Sequence, residues 1–287
     1  MQAWKIEQNH LTLSPLTLSN KKSNVIIEVK ALGINRADLM QIQGIYPAPD
    51  GSVVPGLEVS GIIAGTGQKV CALLPSGGYA THVCVDRRLV IPIPNGLTFE
   101  EAAALPEALL TCYLNLFTLA KLKKGQAVLV HGATSGIGSF AIACANAVGA
   151  KVYATTGRDT PDYLNYNGDW SQIKVDVVLD MLGGAFVSRN ISALNPKGKY
   201  VSIAVMQGTK GEINMASVLM KNLTIIGSTL RSKTATQKAQ LLKKAHAFIT
   251  EHPIKPKIDS VFAFHDLPNA LKRLEDRTHI GKVVVKI

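Results

Sequence analysis

From residue 98 onward, apolar positions alternate between two periods. Compact apolar runs at 128–130, Lys151–Ala154, Val175–Asp180, Tyr200–Ile203 and Leu223–Ile226 have the length of strands. Between them, Phe140–Val148, Phe186–Leu194 and Met215–Lys221 carry apolar residues at helical spacing. Strands alternating with helices predict an α/β domain with a doubly wound parallel sheet and right-handed crossovers. One link breaks the rhythm. Gly157 to Lys174 contains Asp159, Pro161, Asn165, Asn167, Gly168 and Asp169, which is poor helix material, so the crossover helix expected there is shortened or absent. Thr98-Phe-Glu-Glu101 reads as a helix start, followed by Glu100–Ala104 and then Glu107–Ala120, on either side of Leu105-Pro106. Residues 235–249 predict an amphipathic helix. Residues 257–264 and 281–287 return to strand pattern around a helical Leu267–Leu274.

Residues 1–100 read differently. Short runs at Val25–Val29, Gly61–Ala64, Lys69–Leu73 and Tyr79–Val85 are separated by turn residues and punctuated by seven prolines from Pro15 to Pro94. Prolines this dense exclude long helices. A short helix over Ile34–Gln43 is the exception expected.

The stretch Val128-Leu-Val-His-Gly-Ala-Thr-Ser-Gly-Ile-Gly138 has the most chemical content. It is the end of an apolar strand, a small-residue turn and the start of an alanine-rich helix, with a second strand from Lys151. Strand, turn, helix and strand within about 30 residues is the dinucleotide-binding unit. Its helix N-terminus turns free N–H groups toward a pyrophosphate. Of the glycines in G-x-G-x-x-G only Gly138 is kept, since Ala133 and Ser135 hold the other two places. An ordinary ligand-free βαβ unit is the plain alternative. Thr134, Ser135, Gly136 and Ile137 are the turn residues placed to meet phosphate.

Composition narrows the classes. The 287 residues suit one large or two ordinary domains, and 47% of them are apolar, enough for real cores. No apolar run reaches a membrane span, and the N-terminus lacks a signal-peptide pattern, so a cytoplasmic location is the default expectation. Cys71, Cys84, Cys112 and Cys144 form no C-x-x-C pair, and the seven histidines show no metal spacing. The net charge of +11 is scattered rather than blocked, which fits an anion-binding cleft better than a nucleic-acid surface, although nucleic acid stays open as a partner.

A family resemblance becomes specific once further stretches are added. These are Ala31-Leu-Gly-Ile-Asn-Arg-Ala-Asp38, Gly44-Ile-Tyr-Pro47, Pro55-Gly-Leu-Glu-Val-Ser-Gly61, Ala102-Ala-Ala-Leu-Pro-Glu107, Asp176-Val-Val-Leu-Asp-Met-Leu-Gly-Gly184, Gly227-Ser-Thr-Leu-Arg-Ser232 and Ile280-Gly-Lys-Val-Val-Val285. The chain resembles the zinc-independent quinone oxidoreductase (zeta-crystallin-like) branch of the medium-chain dehydrogenase/reductases. The resemblance implies a β-rich GroES-like catalytic domain from both chain ends, 1–105 with 246–287, and a Rossmann domain over 106–245. It also implies a cofactor in the cleft between them and a homodimer, while the lack of a long apolar run speaks against a membrane partner. Zinc-dependent relatives have a cysteine where this chain has Asn35 and a histidine where it has Leu57. Neither residue here supplies thiolate or imidazole, so no zinc is expected.

At the end of the second strand, Thr155-Thr-Gly157-Arg158 holds no acid before Asp159. Arg158, with the hydroxyls of Thr155 and Thr156 assisting, suits the 2′-phosphate of NADPH, which favours NADPH over NADH. The other reading has Arg158 solvated and Asp159 facing the ribose. The resemblance places Tyr166 beside the adenosine. It places Asn35 and Thr111 near the nicotinamide, and Tyr46 on the substrate side, donating to an acceptor oxygen. It places Met181, Leu182, Ile203, Ala204, Leu230, Arg231 and Lys282 around the cofactor. For each a plain role stands beside this one: Tyr46 as a loop anchor, Asn35 as a helix cap, Thr111 as a mid-helix hydroxyl, Tyr166 and the rest as packing or surface. The implied activity is hydride transfer from NADPH to a quinone or related α,β-unsaturated carbonyl. A 2-enoyl thioester reductase and a non-enzymatic NADPH- or RNA-binding protein are the alternatives.

Overall fold

The computed structural model describes residues 1–8, 10–18 and 23–287. They divide into two units, Met1–Leu110 with Arg231–Ile287, and Thr111–Leu230.

In the first unit, β1 (Gln2–Glu7) and β2 (His10–Pro15) form an antiparallel hairpin. These strands fall within the β-rich first hundred residues, outside the runs singled out above. Next come β3 (Asn24–Gly33), α1 (Arg36–Ile42), β4 (Glu58–Ile63), β5 (Lys69–Leu73), β6 (His82–Asp86), β7 (Val90–Pro92), α2 (Phe99–Ala103) and α3 (Pro106–Cys112). Thr98 caps α2 by accepting from the Glu101 N–H, as its sequence predicts. The Glu107–Ala120 segment is not one α-helix. It widens to a π-helix over Tyr113–Leu119, and the Asn115 amide donates to the Thr111 carbonyl at 2.7 Å.

The second unit continues with β8 (Ala127–His131), α4 (Gly136–Ala147), β9 (Lys151–Thr156), β10 (Leu164–Asn165), β11 (Val175–Asp180), α5 (Phe186–Ala193), β12 (Leu194–Ser202), α6 (Met215–Lys221) and β13 (Thr224–Gly227). The sheet order is β10-β9-β8-β11-β12-β13, and every pair is parallel. The order reverses beside β8, so the turn between β8 and α4 sits at the switch point where ligands of such sheets bind. No helix links β9 to β11, as the composition of 157–174 implies. Two residues of β10 and a buried Trp170 replace it. The Trp170 indole N–H donates to the Tyr166 carbonyl at 3.0 Å, and the Arg189 guanidinium lies over the indole.

The chain then returns to the first unit through α7 (Ala235–Glu251), β14 (Ile258–Ala263), α8 (Leu267–Glu275) and β15 (Lys282–Lys286). The compact units divide at 110/111 and at 230/231. Ala239 of α7 packs on the first unit's core, and Arg88 donates to Thr236, so the helix belongs there whole. A seven-stranded sheet runs β14-β15-β3-β4-β5-β7, with β6 on β3. Ten-residue β3 is its hub, and Ile27, Val29 and Leu32 anchor the core. Among the described residues no helix is long and apolar enough to cross a membrane.

Candidate active site

The turn after β8 shows why one glycine of the fingerprint survives. A Cβ on Gly138 would lie 2.1 Å from the Gly132 carbonyl oxygen, a distance backbone cannot relieve. Ala133 fits, buried, with its N–H on the Thr155 carbonyl at 2.9 Å. Ser135 is an N-cap: its hydroxyl accepts from the Gly138 N–H at 2.9 Å. Gly132 has φ +66°, and a Cβ there would meet the Met181 sulfur at 2.6 Å. Met181 thus packs against the turn from the end of β11. The first N–H groups of α4, at Gly136 and Ile137, have no carbonyl within the helix to bond. A cradle this close, opening on a twelve-residue helix, fits a dinucleotide pyrophosphate.

Along the same carboxyl edge, β9 delivers Gly157 and Arg158, and Tyr166 follows β10. The Tyr166 ring covers Gly157 so closely that a Cβ would meet its hydroxyl at 2.6 Å. Thr155 is fully buried and its hydroxyl bonds His131 Nδ1 at 2.6 Å. Thr156, also buried, pairs its hydroxyl with that of Thr134 at 3.3 Å. The Asp159 carboxylate is occupied by the Asn165 amide at 2.8 Å. Leu182 is buried, while Ile203 and Ala204 are half-buried just past β12, and the Ile203 N–H reaches the Asp180 carbonyl. Leu230 and Thr111 are half-buried at the two ends of this unit.

Beneath the edge lies a polar network that the sequence did not disclose. His131 bonds Thr155 through Nδ1 and Asn190 through Nε2, and burial holds the imidazole below its ordinary pKa despite the pull of Asp180. Asp180 accepts from the Leu182 N–H at 2.7 Å, from the Gly183 N–H and from the Tyr200 hydroxyl. It therefore braces the 181–184 turn. Nothing local marks these residues, because their partners lie on other strands.

The first unit holds Asn35, Tyr46, Arg231 and Lys282. Lys282 and Glu58 form a buried ion pair. The ammonium also donates to Asn35 Oδ1 at 2.6 Å and to the Ile34 carbonyl at 3.2 Å, so its three protons are spent inside this unit. A cofactor contact from Lys282 would have to displace one of them. Asn35 sits at the N-cap position of α1 but sends its amide to Glu58 Oε1 at 2.9 Å. Glu58 Oε2 accepts from the Glu107 N–H at 2.9 Å. Next to this cluster Asp38 is fully buried, and accepts from the Asn35 N–H at 2.7 Å and the Tyr79 hydroxyl at 2.8 Å. Burial pushes its carboxyl up to about 7. The donor set does not fit a zinc ion: Leu57 offers no ligand, Asn35 is tied on both side-chain atoms, and an ammonium already holds Glu58.

Tyr46 is half-buried on a loop whose N–H groups at Ile45 and Tyr46 both reach the Met40 carbonyl. The Arg231 guanidinium lies 3.7 Å from the Tyr46 ring centroid and donates to the Pro47 carbonyl.

Comparison with known proteins covers both units. A model described as alcohol dehydrogenase GroES-like domain matches residues 21–95, and one described as zinc-binding dehydrogenase matches residues 151–285. The human synaptic vesicle membrane protein VAT-1 homolog-like is 31% identical over 91% of this chain and 74% of its own length. The zebrafish (Danio rerio) VAT-1 homolog is 29% identical over 92% of this chain, which spans only 64% of that relative's length. The quinone oxidoreductase of Thermus thermophilus, solved also in complex with NADPH, superposes with a TM-score of 0.88 at 29% identity over 100% of both chains. The CurK enoyl reductase superposes with a TM-score of 0.84 at 25% identity over 99% of this chain and 98% of its own.

Proposed function

The chain belongs to the quinone oxidoreductase, zeta-crystallin-like branch of the medium-chain dehydrogenase/reductases, and from that premise we propose that it is an NADPH-dependent, zinc-free reductase of quinones or related α,β-unsaturated carbonyls. The observation that carries the reading is the cradle at Gly132–Gly138 on the carboxyl edge of a parallel sheet, with Arg158 on the next strand's end. Asp159, the rival reader of the ribose, already holds Asn165, which favours the arginine and a 2′-phosphate. The mismatch of Asn35, Leu57 and Lys282 with a metal supports chemistry without zinc.

When bound, the nicotinamide supplies the hydride, so that quinone, NADPH and a proton give hydroquinone and NADP⁺. The chain's own part is placement and charge. The α4 N-terminus would hold the pyrophosphate, Met181 and Tyr166 fill the space beside the turn and Gly157, and Tyr46 would donate to the acceptor oxygen as negative charge grows there. Stopped-flow oxidation of NADPH by 9,10-phenanthrenequinone tests the activity. Tight NADPH binding with no turnover across quinones and enones rejects it. Turnover of crotonyl-CoA in preference to quinones would move the assignment to the enoyl reductase reading that the likeness to CurK favours.

Arg158→Ala is expected to weaken NADPH roughly tenfold to a hundredfold, the worth of a charge-assisted phosphate pair, and to leave NADH almost unchanged. Equal losses for both cofactors in calorimetric titrations would remove Arg158 from the 2′-phosphate.

A second copy is the partner we propose for the outer edge of the second unit. Among the described residues β13 has a neighbour on one side only, and Ile225 on it and Met215, Leu219 and Met220 on α6 are exposed. Leu219→Glu with Met220→Glu should shift a dimer to monomer in sedimentation velocity at micromolar protein. A wild-type monomer under those conditions would sink the idea.

A further inference from the structure

Lysines that lie scattered in the sequence are gathered by the sheet of the second unit. Its strands are parallel, so all of them begin at one edge, and most begin beside a lysine. Lys121, Lys123 and Lys124 precede β8, Lys151 opens β9, Lys174 precedes β11, and Lys197 sits in the irregular start of β12. All six are exposed, and among the described residues no ion pair joins any of them to a carboxylate. Two more lysines stand behind them. Lys199 donates to the Ala120 carbonyl at 2.7 Å, and its ammonium pKa is lowered first by burial and then by Lys121 and Lys123. Lys221 closes α5 by donating to the Ser192 carbonyl at 3.0 Å and the Leu194 carbonyl at 2.9 Å, and its pKa is lowered first by burial and then by Lys174. Lysines of neighbouring strands therefore lie within one another's field.

Two carboxylates of the unit lie on this side. Asp176 accepts from the Ala127 N–H at 2.8 Å and the Asn195 amide at 3.1 Å, and Asp169 accepts from the Ser171 N–H at 2.9 Å. Counted as full anions, they offset two of the eight ammonium groups and leave the edge at +6. The unit's other acids, Asp159, Asp162, Asp180 and Glu212, lie at or past the carboxyl ends of β9, β11 and β12. A lysine that balances a helix C-terminus needs no further role, and Lys199 and Lys221 fit that account, since their protons go to carbonyls. Two of the exposed six do not. Lys121 and Lys197 hold left-handed backbone, at φ +55° and +64°, which glycine adopts without the steric cost a lysine carries. Between the six, Leu122, Ile173 and Val175 are buried, so this row offers charge and no apolar side chain to enter a bilayer. With neighbouring strands about 4.8 Å apart, the lysines of β9, β8, β11 and β12 spread over about 15 Å. Such a row suits the repeating phosphates of a strand, which lysine meets as a point charge.

We infer that the amino edge of this sheet binds the phosphodiester backbone of nucleic acid without reading bases, at a surface separate from the cradle on the carboxyl edge. Five-residue β8 holds the two edges about 15 Å apart, so a dinucleotide and a polyanion can be bound together. The inference stands independently of the reductase reading.

Fluorescence anisotropy of labelled RNA and DNA strands of about 20 nucleotides, titrated with the full chain, tests it. Micromolar binding is expected at about 50 mM KCl, equal for RNA and DNA within about threefold, with a log–log salt slope of about −4 for six phosphates on a single strand. Saturating NADPH should leave it unchanged. Lys121→Gln with Lys123→Gln and Lys124→Gln should weaken binding about tenfold or more and bring the slope to about −2. The same charge removed from the exposed lysines of α7 and α8, as Lys243→Gln with Lys244→Gln and Lys272→Gln, should cost less than about twofold. Lys121→Gly with Lys197→Gly should keep the urea midpoint at or above that of the wild type and still weaken binding about fivefold, which a folding defect could not do. Absence of binding at low salt, competition by NADPH, or equal losses from the two triple variants overturns the inference. So does a preference for RNA or DNA of about tenfold, which would mean sugar or base contacts. Capture by phosphatidylserine vesicles without binding to either strand would assign the edge to a membrane surface and overturn it too.

Discussion

Lys282→Met is expected to destabilise the first unit by about 3–5 kcal/mol, the usual cost of stranding one member of a buried ion pair. Both side chains are shut off from water, at 4% exposure for Lys282 and none for Glu58. Without the ammonium, Glu58 keeps the Asn35 amide and the Glu107 N–H among the described residues, and its charge stays buried. The Asn35 oxygen and Ile34 carbonyl lose their donor as well. Each unit has its own tryptophan, Trp4 in the first and Trp170 in the second, so urea unfolding in a Trp170→Phe background reports the first unit alone. The double variant Glu58→Gln with Lys282→Met removes both charges and should recover a good part of the loss. If the single change is as mild as the double, the pair is not what holds this corner. The same variant also separates two roles for Lys282. A cofactor ligand would cost NADPH affinity under conditions where the protein stays folded, whereas a structural cation would not.

Much of the second unit was legible because its signals are local. Met215–Lys221 and Val175–Asp180 fall where periodicity puts them, and the lack of helix in 157–174 follows from Pro161, Gly168 and the Asn and Asp residues around them. What periodicity could not supply was what fills the missing helix's place, since Trp170 does so by packing on residues of other strands. The same limit hid the His131–Asn190 and Asp180–Tyr200 contacts, and the Glu58–Lys282 pair, whose members are 224 residues apart. It also hid the partner of Thr155. A hydroxyl at a strand end is a plausible phosphate ligand until the neighbouring strand offers it a buried imidazole. The break from α-helix to π-helix at Tyr113 was equally invisible, because Glu107–Ala120 has helical spacing throughout. Sequence reasoning thus identified the strand, turn and helix at the carboxyl edge of the sheet. It did not separate the side chains facing that edge from those bracing it underneath.

The pH dependence of stability offers the last test, at Asp38. Its carboxyl is raised to about 7 by burial, helped by the charge of Glu58 and opposed by the Asn35 N–H, the Tyr79 hydroxyl and Lys282. In the unfolded chain the group returns to about 3.9. Between those values the folded protein holds a proton that the unfolded chain has released. The associated stability is therefore fully present below about pH 4 and is lost as pH rises through about 7. The gap corresponds to about 4 kcal/mol at most. Oδ2 takes both hydrogen bonds, and Oδ1 meets no partner among the described residues, so Oδ1 is the natural seat of the proton. Asp38→Asn cannot titrate. Its oxygen can still accept from Asn35 and Tyr79, but its amide N–H groups inherit the place without a partner, at a cost of about 1–3 kcal/mol that pH does not alter. The variant should thus be the less stable protein at pH 5 and close the difference, or reverse it, by pH 8.5. Groups that titrate in both proteins, His131 among them, cancel when the two urea profiles are subtracted. Parallel profiles across that range would mean that Asp38 is ionised in the folded protein at pH 5, with Lys282 and the two donors outweighing its burial.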